Sequence, residues 1–220
     1  MTFMFMPLQP NRHRLLMHRL LTSIIILNLA FAGTIFAQSD LPLLNEAALP
    51  LISAPSFAEL LELPFVSAKG QWIAADGVLR VVDIPKEKHI PVLHHKVGLA
   101  SAVIELEFRW DGTGSFLVGC DSDKHVGRVV INAKGLSIAE DSVKPSHTIA
   151  QLPLAVKQGE WHKLRVEWKG DQMAARLDGR ELRAQHSFLA TEKVRSWLAA
   201  SHLVKVRKLK IRGRTASTKS

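Results

Sequence analysis

In the stretch IELEFRW, Glu105 and Glu107 stand two residues apart and would share one face of a strand. A rise of about 3.3 Å per residue puts their Cα atoms roughly 6–7 Å apart. Carboxylates about 5–10 Å apart can flank a glycosidic bond, one as acid and the other as nucleophile or base. The same two residues, with Arg109, also fit the plain polar face of a strand. A second group of reactive residues lies in KEKHIPVLHHK and DSDKHVGRVVIN: Lys88, His89, His94, His95, His125 and Arg128. His125 has the chemistry of a proton carrier near neutral pH. Arg128 offers a planar fork for a carboxylate or a sugar hydroxyl, and Lys88 and His89 would add ligand contacts.

Metal chemistry is less well supported. Asp121 and Asp123 have the i, i+2 spacing of a calcium loop, but calcium needs six to eight oxygens and too few lie nearby. His94 and His95 are adjacent, so on a strand they face opposite ways and cannot share an ion. No metal or other cofactor is expected. Among five tryptophans, Trp110 and Trp168 sit at alternating apolar positions and read as core. Trp72 and Trp197 are less constrained, and Trp72 is the candidate to stack on a sugar. The chain has no tyrosine, which counts weakly against a dedicated lectin.

The elements that must position these residues are strands. SAVIELEFRW alternates, with Ala102, Ile104, Leu106, Phe108 and Trp110 on one side and Val103, Glu105, Glu107 and Arg109 on the other. QWIAADGVLRVVD reads as a hairpin turning at Asp76-Gly77. QGEWHKLRVEWKGDQMAARLDGREL alternates, turns at Gly170-Asp171, alternates again and turns at Asp178-Gly179. EKVRSWLAAS suits a strand or a short helix. LVKVRKLKIRGR closes the domain as an outer strand with a phase slip near Arg207-Lys208. Ten to twelve short strands with closely spaced turns predict an all-β fold, a two-sheet antiparallel sandwich or a barrel, rather than alternating βαβ units. Residues 38–64 read as a proline-chopped linker with one short helix, SFAELLEL, capped by Ser56 with Glu59 at the capping-box position.

Basic residues precede an uncharged run from Leu20 to Ala37, the pattern of a secretory signal over residues 1–37; a membrane anchor is the alternative. The net charge of +9 is unevenly spread. Residues 38–192 carry 17 basic and 20 acidic groups, whereas the residues from 193 onward carry nine basic groups and no acid. Because that basic tract alternates with apolar residues, it reads as a half-buried strand and not as a nucleic-acid arm. The lone Cys120 cannot form an intramolecular disulfide, and its alternation with Phe116 and Val118 turns it toward a core.

GQWIAADGVLR, AVIELEFRWDGTGSFLVG and GEWHKLRVEWKGDQMAARLDGREL together resemble concanavalin A-like jelly rolls of exported bacterial proteins. The family they resemble is the 3-keto-disaccharide hydrolase-type domain, close to laminin-G-like and laminarinase-type sandwiches. The likeness runs from about Phe65 to Arg214, which implies a jelly roll over 65–214 with a flexible tail at 215–220. It implies an exported, periplasmic or secreted domain that meets a glycan or cell-surface polysaccharide on its concave sheet. It equally admits a glycoside hydrolase of that type using Glu105, Glu107 and His125, or a non-catalytic interaction module. Neither nucleic acid nor stable membrane insertion after signal cleavage is expected. IELEFRW departs from the laminarinase-type run E-x-D-x-x-E at the middle Asp and at the last Glu.

Overall fold

A computed structural model describes residues 42–111, 113–201 and 203–215. The expected signal over 1–37 lies outside them, as does all but the first residue of the expected tail. The described residues fall within one compact unit, Asp40–Ser220, and none of their helices is long and apolar enough to cross a membrane.

The described strands, in chain order, are β1 (Leu51–Ser53), β2 (Phe65–Lys69), β3 (Gln71–Ala75), β4 (Val78–Val82), β5 (Val92–His95), β6 (Leu99–Arg109), β7 (Ser115–Asp121) and β8 (His125–Asn132). They continue with β9 (Gly135–Glu140), β10 (His147–Pro153), β11 (Trp161–Lys169), β12 (Gln172–Leu177), β13 (Arg180–Gln185), β14 (Arg195–Ala200) and β15 (Lys205–Thr215). The eight-stranded sheet runs β13-β12-β11-β6-β15-β4-β3, with β1 added beside β15. The seven-stranded sheet runs β10-β9-β8-β7-β14-β5-β2. Both are antiparallel throughout.

Period-two alternation sets what lies between the sheets. From β6, Ile104, Leu106 and Phe108 point inward to meet Phe116, Val118 and Cys120 of β7. Trp110 and Trp168 are both fully buried, as their spacing requires, and the Trp168 indole donates to the Leu99 carbonyl at 3.0 Å. Burial pushes the Cys120 thiol up to about 12, so this cysteine is an inert core residue.

The last strand differs from the expected outer position. β15 lies inside the eight-stranded sheet, with β6 on one side and β4 and then β1 on the other. The phase slip is present: the β15–β6 register shifts between Arg207 and Lys210, and Lys208 takes a φ of 53°.

The short helix over SFAELLEL does not form. Ser56 Oγ does accept the Ala58 N–H at 3.3 Å, so the local cap is made. Phe57 nevertheless adopts a φ of 56° and buries its ring in the core, which turns the chain out of a helical path. The energy of burying a phenyl ring overrides a weak local preference. Residues before Pro64 also do more than link, because β1 joins the sheet and Leu44 and Leu49 pack over Val103. EKVRSWLAAS resolves as strand β14.

Candidate functional site

The structure separates the two groups of candidate residues. Glu105 and Glu107 point outward from the eight-stranded sheet, whereas His125 and Arg128 stand on the outer face of the seven-stranded one. They share no cleft.

On the eight-stranded face the strands align a charge ladder. Lys210, Glu105, Arg165, Arg176 and Glu181 stand in register across β15, β6, β11, β12 and β13. Arg165 binds Glu167 at 2.6 Å, Glu46 at 2.7 Å and Glu105 at 2.8 Å. Glu107 accepts from Arg207 Nε at 2.7 Å and from Lys208 Nζ at 2.9 Å. The Lys208 bond, helped by Arg207 against the cost of burial, holds the Glu107 carboxyl below its ordinary range. A depression of about 1260 Å³ crosses this face, bordered by Pro42, Glu46 and Pro55 of the N-terminal segment. Its lining includes no aromatic side chain among the described residues. An acid or nucleophile needs a proton or a lone pair to spare, and salt bridges tie up Glu107 on both oxygens and Glu105 on one.

The seven-stranded face is built differently. Val66, His94, Trp197, Gly119, Arg128 and Ala139 stand in one row across β2, β5, β14, β7, β8 and β9. On the next row Arg195 pairs with Asp121, and Asp121 with His125. Gly119 is the reason the indole of Trp197 can lie flat on the sheet. A Cβ there would come within 2.2 Å of Trp197 Cζ2. Ring and neighbours then define a cleft of about 390 Å³, with His89, His94, His125, Arg128, Arg195 and Trp197 in its wall.

Asp121 organises this cleft from beneath. Its carboxylate accepts from Trp197 Nε1 at 2.5 Å and Arg195 Nε at 3.0 Å, and pairs with His125 Nδ1 at 2.8 Å. Burial opposes its charge, but these three partners hold the carboxyl below its ordinary value. The Asp121 bond in turn raises the His125 pKa and fixes which ring nitrogen faces the cleft. His94 moves the opposite way, lowered by burial and by the Arg195 charge. Arg128 is held by Asp141 at 3.1 Å and by Ser146.

The remaining candidates divide. His89 lines the cleft, with Nδ1 bonded to the Ile90 carbonyl at 2.6 Å. Lys88 is exposed at the end of a one-turn helix and is not in the cleft wall. Trp72 packs into the core between the sheets from β3, so its ring is turned away from a surface ligand. The aromatic in the cleft is Trp197, which at 5% exposure serves as floor more than as platform. Of the i, i+2 pair Asp121 and Asp123, Asp121 already has its carboxylate engaged by His125, Arg195 and Trp197. Arg195 and Gly119 gave no signal in the sequence. Asp121 and His125 stand four apart around a tight turn, a signal that the reading of Asp121 with Asp123 passed over.

No family model matches the chain, and no curated protein does. Solved structures do. The CBM2 module of the evolved Dit of Lactobacillus casei BL23 phage J-1 superposes with a TM-score of 0.56 at 9% identity, over 76% of this chain and 96% of that one. The exoplasmic/lumenal domain of VIP36, in a metal-free form, gives 0.51 at 10% identity, over 70% and 86%. Apo Crh5 transglycosylase gives 0.51 at 12% identity, over 74% and 84%. The protein has the concanavalin A-like β-sandwich fold.

Proposed function

We propose that the protein is an exported glycan-binding β-sandwich whose ligand seat is the cleft on the seven-stranded sheet. The observation that carries this is the Gly119–Trp197–Asp121 arrangement, an indole laid flat on the sheet and pinned through its N–H. Around it stand His94, His125, Arg128 and Arg195, side chains whose planar donors suit sugar hydroxyls and carboxylates. The CBM2 and transglycosylase names among the structural neighbours agree with such a ligand by analogy of fold alone. Export rests on the signal-like pattern of residues 1–37.

Binding is favoured over glycoside hydrolysis because Asp121 is the sole acid in the described cleft wall, and its oxygens are already engaged. Hydrolysis by paired carboxylates needs two. The Asp121–His125 pair is the one feature that speaks for a hydrolase, since an oriented imidazole can shuttle a proton.

A glycan array, followed by titration and product analysis on the hits, tests the proposal. Arg195→Ala and His125→Ala are expected to weaken binding, whereas Glu105→Gln on the opposite face leaves it unchanged. Binding that ignores both cleft variants, or no glycan bound at all, would remove the proposed seat and leave an interaction module. Turnover lost in His125→Ala would establish the hydrolase instead.

A further inference from the structure

A separate cluster lies at the rim where the two sheets' outer strands approach each other. Glu140 is the last residue of β9, and His147, the first residue of β10, stands opposite it in register. His186 follows β13, at the edge of the other sheet, and caps the turn Ser187–Ala190. One potential ligand atom from each of the three residues falls within 4.8 Å of the other two.

The spacings are not those of hydrogen bonds. His147 Nδ1 lies 3.4 Å from Glu140 Oε1, and His186 Nδ1 lies 3.9 Å from Oε2. Good N–H···O bonds close to about 2.7–3.2 Å. Ligands bound at about 2.0–2.2 Å around one zinc ion stand roughly 3.3–3.5 Å apart in a tetrahedron. His147 and Glu140 Oε1 already have that separation, whereas His186 approaches the other oxygen, Oε2, and its ring has to move inward from a set whose ligand atoms lie within 4.8 Å of one another. The carboxylate is the fixed member. It is 1% exposed and anchored by the Ser142 N–H, which Oε2 accepts at 2.6 Å. Both imidazoles are open to solvent, which gives an ion its way in. His186 Nδ1 also accepts the Phe188 N–H at 3.3 Å. That contact assigns the nitrogen as unprotonated, the form a metal requires, and it is long enough to yield.

We propose that Glu140, His147 and His186 form a zinc site that ties the open edges of the two sheets together. Two imidazoles and one carboxylate form a donor set for borderline cations such as Zn²⁺ and not for Ca²⁺ or Mg²⁺, which prefer all-oxygen sites. Three protein ligands leave a fourth position for water. The site is independent of the glycan cleft.

The test is a Co²⁺ titration of chelator-treated protein, read by visible d–d absorption, with Zn²⁺ added as competitor and Ca²⁺ as control. One equivalent per chain is expected, displaced by Zn²⁺ and indifferent to Ca²⁺. His147→Ala and His186→Ala should each weaken it by more than the about 10–100-fold that outer-shell changes cost. Glu140 is buried, and Glu140→Gln risks misfolding, whereas the two histidines are accessible and keep the test sound. His125→Ala, in the cleft, should retain the spectrum. No stoichiometric Co²⁺ band, or a band that survives both rim variants, or one that disappears with His125→Ala, would overturn the proposal. Glycan binding is read separately, so neither result decides the other.

Discussion

The two outer faces of the sandwich use charge in opposite ways. On the eight-stranded face, carboxylates and basic side chains pair with one another along and across the rungs, and an N-terminal segment covers part of them. On the seven-stranded face one buried carboxylate holds a histidine, an arginine and an indole by one edge each and leaves their other edges toward a cleft. Charges paired among themselves hold structure; polar groups oriented from below and open above are prepared for something that arrives. Variants that remove a charge from the first face should therefore cost stability without affinity, and those that remove one from the second should do the reverse.

The largest effect is expected from Arg165→Met. Arg165 neutralises Glu167, which is 4% exposed, together with Glu46 and Glu105. Burial opposes the guanidinium charge, yet the three carboxylates raise its pKa further. Removing one partner of a buried pair strands the other, at about 3–5 kcal/mol. Urea unfolding should show that loss while glycan affinity stays within about twofold. A matching fall in affinity would mean the two faces are not independent.

His95 reports on the space between the faces. It is 2% exposed, and burial lowers its pKa to about 4. Its ring pairs with Ser53 Oγ at 2.9 Å, which fastens β1 to the opposite sheet. The folded pKa is depressed, so between about 4 and the ordinary value near 6.5 the unfolded chain binds more protons. Stability should therefore fall as pH drops through that window, by about 3 kcal/mol from this residue alone. His95→Gln should flatten the profile relative to wild type. Parallel profiles for the two proteins would show that His95 titrates freely in the folded state.

Gly119→Ala sharpens the contrast on the cleft side. Its effect would come from space, since the added Cβ would meet the indole at 2.2–2.5 Å. Overpacking of this kind costs about 1–3 kcal/mol. The indole must lift or tilt, so tryptophan emission should change and glycan affinity should drop. Retained affinity with altered emission would show that the flat ring is not part of the seat.

Much of this fold was legible because alternation records which side of a strand a residue faces. Residues 102–110 placed Phe108 and Trp110 inside and Glu105 and Glu107 outside without further help. The bulge at Arg207–Lys210 was visible as a broken phase. Alternation does not say which sheet a strand joins, and that is why Glu105 and His125 looked like partners. The cleft depends on register as well. Gly119 matters only because β14 sets Trp197 beside it, and 78 positions separate the two in the sequence. Trp72 and Trp197 show the same limit, since each alternates with its neighbours but only one looks out. SFAELLEL misled for a different reason, because its local cap is real and the long-range burial of Phe57 overrode it.

His125→Ala should have the smallest effect on stability and the most specific effect on binding. The ring is half exposed, and Arg195 and Trp197 still satisfy Asp121 without it. Stability should change by less than about 1 kcal/mol, as for other exposed ion pairs. Its pH dependence has the opposite sign to that of His95. The Asp121 bond raises the folded pKa of His125. The contribution is therefore fully present below the unfolded value near 6.5 and disappears as pH rises through the folded value. The stability gap between wild type and His125→Ala should shrink on moving to alkaline pH. Affinity for the glycan should fall about tenfold, or about 1.4 kcal/mol. A tenfold loss with stability intact would separate a binding role for His125 from a structural one, whereas a stability loss that grows with pH would contradict the Asp121–His125 ion pair itself.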